Sequence, residues 1–471
     1  MGSVHAMNPT SPPPAPAAPI SAALADLLPW LWQQAPHMPE AVQARARRLW
    51  LDTAACAWSG LQAEETKRWL ALQAEGDSGA VALPGSALRL GAGASASAFA
   101  LGACRDEACE GLALAHGRPG VPVVAALWSQ IGRLRPNWDA LLQASVVGYE
   151  VGARLGAALR IRRGQHVDGF WGAFGAAAAL AHLHGMRWQD ALRAIEASAV
   201  QLPYSLYLPV AQGADVRNLY LAHSAWLGLQ GLQAVRAGMA TPQGAVDEFA
   251  RLALDAAALQ PLPPPGRWLI ADSYWKPFAG VRHLHYGAQA ALQLRAGVGD
   301  PGAIEQLRLR VYPEALVYCA NRAPQTVLAA QFSLSFGVAA ALVFGDLSPA
   351  EYRAPRFQDP QLRRLEALVE LQADAEAYTG AVRGARVELC VGGRWQHAEQ
   401  GAMVGDPGLD PDPAVLAAKF SRYTQGDPAM AAWALRVQDD PPTATAVWPD
   451  APAPAEPQAG RSTDFPDRSK E

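Results

Sequence analysis

The sequence has 471 residues, half of them hydrophobic and 17% charged, with 39 basic against 43 acidic side chains and a formal net charge of −4. That much apolar surface can offset the entropy of ordering, which excludes a wholly disordered chain, and the lack of a basic surplus argues against binding nucleic acid through its phosphates. A chain of this length is expected to form two or three domains.

The opening stretch, MGSVHAMNPTSPPPAPAAP, has no cationic start followed by an apolar block, so it does not read as a secretory signal. Its prolines predict an extended lead-in over residues 1–20. From about Ser21 to Glu248 the chain is rich in Ala and Leu with apolar residues at helical spacing. AVQARARRLWLDTAACAWSG, for example, puts Val42, Leu49 and Cys56 on one face. GFWGAFGAAAALAHLHG, Gly169 to Gly185, strips bulk from a helix at Gly172 and Gly175. Glycine inside a helix costs about 1 kcal/mol relative to Ala, so it needs a reason. Two reasons are compatible: close helix packing, and a helix N-terminus turned toward a ligand carboxylate.

PLPPPG, Pro261 to Gly266, is a boundary no helix crosses. Beyond it, QLRLRVY alternates Leu307, Leu309 and Val311 as a half-buried strand does, and ARVELCVGGRWQHAE predicts a hairpin turning at Gly392-Gly393. Thr326 to Gly345 carries no charge and approaches the length of a membrane span, but Gln331, Ser333 and Ser335 interrupt it, so a buried helix is expected. A second break, Gly405 to Pro413, precedes a helical run from Ala414 to Val437, and the stretch from Pro441 onward is expected to lack a fixed shape. The fold expectation is therefore mainly α. A large helical domain (21–266) is followed by an inserted α/β lid (267–405), a helical return (406–440) and a tail (441–471).

The five cysteines are odd in number, loosely spaced and form no CxxC pair, which predicts a reduced, cytoplasmic protein with no disulfide framework and no thiolate metal site. HLH occurs at His182/His184 and His283/His285, but residues two apart on a helix point in different directions and no carboxylate motif accompanies them. Neither GxxxxGK[ST] nor GxGxxG after a strand is present. No metal and no cofactor are expected.

Five strings in order, LDTAACAWSG, VVGYEVGARLG, HVDGFWGAFGAAAALA, SYWKPFAGVRHLHYGAQAAL and AAQFSLSFGVAAALVFGDL, resemble the MmgE/PrpD family, which includes 2-methylcitrate dehydratases and cis-aconitate decarboxylases. The likeness runs from roughly Ala22 to Ala434. It implies an all-helical domain carrying both chain ends with an inserted α/β lid, a homodimer, and a metal-independent lyase acting on a small di- or tricarboxylate in the cleft between the two. In CRDEACEGLALAHGRPG, Asp106 matches the first acid of the family's Asp-rich loop and His116 its histidine. The second pair of acids is replaced by Ala108 and Cys109, and the family's threonine by Glu110. His166 falls on a second active-site histidine, Arg217 replaces a lysine, Lys276 matches the lysine that opens the lid, and His285 a later histidine. Phe336 stands where cis-aconitate decarboxylases use a tyrosine, which counts against that activity.

Removing a C–H proton beside a carboxylate needs cations to hold charge on the enolate-like intermediate, and a group titrating near neutrality to move the proton. Arg217 and Lys276 suit the first task and His116 and His166 the second, as base and acid in unassigned order. Asp106 is expected to orient a histidine, while His285 and Glu110 are expected near the substrate. Two alternatives share the fold: an epimerase of an amino- or imino-dicarboxylate, and an inactive family member that serves as a binding subunit. A small-molecule acid is the expected partner, with no nucleic acid and no membrane.

Overall fold

The computed structural model describes residues 19–379 and 382–447. Most of the expected lead-in and of the expected tail therefore lies outside the described residues. At both margins the expectation is corrected. Ile20 is buried and opens a helix, Ile20–Gln34, whose first backbone N–H donates to Asp247 at 2.6 Å. Pro441–Val447 is also held, because Trp138 N–H donates to Ala444 O (3.0 Å) and Ala446 N–H to Pro136 O (2.8 Å).

Among the described residues there are eighteen α-helices and six strands, so the protein is mainly α. Residues 20–253 build a helical body with one departure from the all-helical expectation. Strands β1 (Ser78–Leu83) and β2 (Ser86–Leu90) form an antiparallel hairpin. Pro84-Gly85 supplies its turn, with Gly85 at φ +65°, and Trp128 Nε1 donates to Ala82 O across it.

The small-residue helix is Gly172–Leu183, and its glycines are packing devices. A Cβ on Gly175 would lie 2.7 Å from Gly148 O, and one on Gly148 would lie 2.6 Å from both Gly175 O and Ala179 Cβ. The helix Trp138–Ala158 thus crosses it backbone to backbone. Gly148→Ala is expected to cost about 1–3 kcal/mol, because backbone cannot yield as a flexible side chain does. Urea denaturation checks this; a variant as stable as the parent would show that the two helices can separate at no cost.

The boundary Pro261–Gly266 is indeed free of helix. It is tied to the body by buried Arg154, which pairs with Glu150 and donates to the carbonyls of Pro263, Pro264 and Arg267. Glu150 in turn accepts the N–H groups of Leu269 and Ile270. Past it, β3 (Ile304–Val311), β4 (Val369–Ala373), β5 (Ala385–Val391) and β6 (Arg394–Gln400) form one sheet in the order β4-β3-β5-β6. β3 runs parallel to β4 and antiparallel to β5. The β5–β6 hairpin turns at Gly392-Gly393, both at positive φ, as the two-residue turn requires. Helix Arg282–Arg295 lies on this sheet, with Gly287 close to Leu309.

The charge-free segment divides into Val327–Gln331 and Leu334–Phe344, and among the described residues no helix is long and apolar enough to cross a membrane. The single run expected over Ala414–Val437 is two helices, Pro413–Tyr423 and Pro428–Asp439. Gln425 and Gly426 at positive φ end the first; Asp427 caps the second.

Candidate active site

Helix Ala92–Arg105 ends where the acidic loop begins, and the loop sends consecutive side chains in different directions. Asp106 turns to one side, accepting from Ser59 Oγ (2.6 Å), Arg105 (3.0 Å) and Arg353 (3.1 Å). Burial pushes its carboxyl up, but Arg353 and Arg105 outweigh that and hold it below the usual range. Glu107 turns the other way. Its φ of +52° is uncommon for a side chain of this kind, and conformations of this sort concentrate at functional positions. The backbone twist delivers the carboxylate into a fully buried group of cations.

There Glu107 pairs with Arg118 (3.0 Å), Arg217 and Lys276 (3.4 Å), and Lys276 Nζ also donates to its carbonyl at 2.7 Å. Burial opposes the charge on Glu107, yet the three cations hold its carboxyl far below the ordinary range. Asp168 is the second carboxylate, paired with Arg118 and lying 3.4 Å from Arg217. Arg217 Nη1 also donates to Cys104 Sγ at 3.3 Å, while its Nε is buried without a hydrogen-bond partner. Burial lowers the ammonium pKa of Lys276, which Glu107 opposes.

His166 sits at the edge of this group. Its N–H donates to Ser205 O (2.7 Å), and its Nδ1 accepts the N–H of Asp168 at 3.0 Å. A neutral ring holding that bond carries its proton on Nε2, a tautomer assigned from the hydrogen bond. Burial lowers the His166 pKa to about 4, so the ring is neutral at pH 7.

Of the residues expected from the sequence, His166, Arg217 and Lys276 therefore meet, joined by Glu107 and Asp168. The others do not. Asp106 touches no histidine; Asp168 holds the place beside His166. Glu110 is buried and braces the start of helix Gly120–Leu134, accepting from Gly120 N–H (2.8 Å) and Tyr149 OH (3.2 Å). Burial raises its carboxyl to about 7. His285 is fully buried behind Lys276, sharing with it the Gly280 carbonyl at 3.1 Å and 3.5 Å. His116, at φ +53°, lies exposed on its turn; partial desolvation and Arg160 lower its pKa, and Glu314 and Arg383 of the sheet-bearing segment also act on it. Phe336 stacks on Tyr352 in the core, 5.0 Å between rings.

Glu107, Arg118 and Asp168 were not singled out by sequence. Asp168 lies two residues from His166 and Glu107 beside Asp106, but adjacency in a loop says nothing about which carboxylate turns inward. Among the described residues, no group of three or more His, Cys, Asp or Glu is arranged to hold a metal ion.

These burials set a pH response. His166, His182 and His184 are lowered to about 4 and His283 to about 3. Each binds a proton more readily when unfolded, so its contribution is complete above about pH 6.5 and is lost as pH falls toward 4. Glu110, raised to about 7, works in the opposite sense together with Glu150, Asp346 and Glu366, which burial also raises, while His285, lowered well below its ordinary value, adds to the histidines. The melting temperature is expected to fall continuously between pH 6.5 and 4.5; a flat or rising profile would contradict the burial of these rings.

A model of the MmgE/PrpD N-terminal domain matches residues 33–253, and one of the MmgE/PrpD C-terminal domain matches residues 278–431. No curated protein matches the chain.

Proposed function

Because the chain belongs to the MmgE/PrpD family, whose membership points to lyase-type chemistry on carboxylates, we propose that it is a cofactor-independent carbon–oxygen lyase that dehydrates a small hydroxy acid. The observation that carries this reading is the convergence of Arg118, Arg217, Lys276 and His166 on two shared carboxylates in a buried site.

In such a reaction a base takes the proton from the carbon beside the substrate carboxylate. The electron pair moves into the carboxylate as an enolate-like dianion, and Lys276 and Arg217 hold the added charge. The pair then returns to form the alkene as hydroxide leaves from the next carbon and is protonated to water. His166, neutral with its proton on Nε2, serves as a hydrogen-bond donor to the departing hydroxyl. His116, exposed on its own turn, stands outside this group and is not the base of this scheme. Asp168 and Ser205 position His166, and His285 positions Lys276 through the Gly280 carbonyl.

The test is incubation of hydroxy acids with the protein in heavy water. Alkene absorbance accompanied by loss of the hydroxyl supports dehydration. Deuterium uptake with inverted configuration and no alkene would replace it with the epimerase. No change in any acid, with Lys276→Met and His166→Ala equally silent, would leave a binding subunit.

A further inference from the structure

Seven Arg and Lys side chains are buried among the described residues. Four have carboxylates of their own: Arg105 with Asp106, Arg154 with Glu150, Arg282 with Asp406, and Lys419 with Asp52. The remaining three, Arg118, Arg217 and Lys276, share only Glu107 and Asp168. The group therefore holds one more positive than negative charge. Burying unbalanced charge is costly, and the cost is relieved when a ligand brings the missing opposite charge. Arg217 Nε, a buried N–H without a partner, is a donor available to that ligand.

We propose that Glu107 and Asp168 occupy the cations that a polycarboxylate would need, so that the site takes an acid with a single carboxylate and an uncharged remainder. This rests on the lyase reading and narrows its substrate. A dianion would bring the group to a net negative charge, and a trianion would take it further. The surroundings outward from His166 offer no compensation. Tyr207 lies 6.2 Å from His166, Tyr318 6.2 Å from Tyr207, and His283 5.9 Å from Tyr318, a run of uncharged rings reaching the sheet-bearing segment. Tyr318 is 46% exposed, so the run opens to solvent. Such a wall suits an alkyl or aryl group and gives a second carboxylate nothing to pair with. The next cation along, Arg383, packs on Tyr312 and already faces Glu314 at 3.4 Å.

Isothermal titration of the full chain at pH 7 with 3-hydroxybutanoate, 3-hydroxy-3-phenylpropanoate, malate and citrate tests this. At least one of the two monocarboxylates is expected to bind tenfold or more tightly than malate or citrate. In Glu107→Gln, which raises the surplus by one, malate is expected to gain tenfold relative to the monocarboxylates. The wild-type ranking decides even if that variant fails to fold: malate or citrate binding as tightly as either monocarboxylate, or more tightly, overturns the proposal. Absence of binding by all four acids overturns both this proposal and the carboxylate reading beneath it. Preferred binding of a monocarboxylate without any turnover upholds the single-carboxylate site and removes the lyase.

Discussion

Replacing Glu107 by Ala is expected to lower the free energy of unfolding by about 3–5 kcal/mol, the usual cost of removing one partner from a buried ion pair. Glu107 faces three cations, and its loss leaves Arg118, Arg217 and Lys276 with Asp168 alone. The strain of its left-handed backbone would be only slightly relieved, since Ala also disfavours φ +52°. Urea denaturation measures the change. A loss below about 1 kcal/mol, the range of solvated surface pairs, would mean that water reaches these charges and that the group is not a closed site.

Lys276→Met should separate function from stability in the opposite sense. It removes the surplus charge and leaves two cations facing two carboxylates, with a side chain of similar length in the same space. Stability is expected to hold, because Arg118 and Arg217 still face Glu107 and Asp168 and the charge removed is the unmatched one. Turnover is expected to fall by about 10²–10³-fold, chiefly in kcat, because the lost cation matters most when charge develops on the enolate. Steady-state kinetics beside thermal unfolding make the comparison. A variant that keeps full kcat would remove Lys276 from the chemistry, and one that loses several kcal/mol of stability would show that its charge serves the fold.

The helical body, the β3 strand and the β5–β6 hairpin were legible because periodicity and turn chemistry are local. Val42, Leu49 and Cys56 share a face, and Gly392-Gly393 can adopt positive φ where other residues resist. The β1–β2 hairpin was not legible: its Pro-Gly turn is plain in the sequence, but it sits inside an Ala/Leu-rich region whose spacing suggests helix throughout. The site was legible in part. His166, Arg217 and Lys276 lie in strings that a family resemblance can mark. That Glu107 rather than Asp106 enters the cation group depends on one backbone dihedral, and that Glu110 braces a helix start depends on the path of the loop back to Gly120. Neither is written in residue type or spacing.

We place the substrate carboxylate on the surplus charge shared by Arg118, Arg217 and Lys276. A crystal structure with the tightest-binding monocarboxylate of the titration series tests this placement most directly. The ligand carboxylate is expected within hydrogen-bond distance of Arg217 Nε and Lys276 Nζ, with its uncharged end against Tyr207 and Tyr318. A carboxylate found instead in the separate cavity of about 510 Å³ lined by Trp275, Lys419 and Arg422, with the Glu107 group undisturbed, would contradict it.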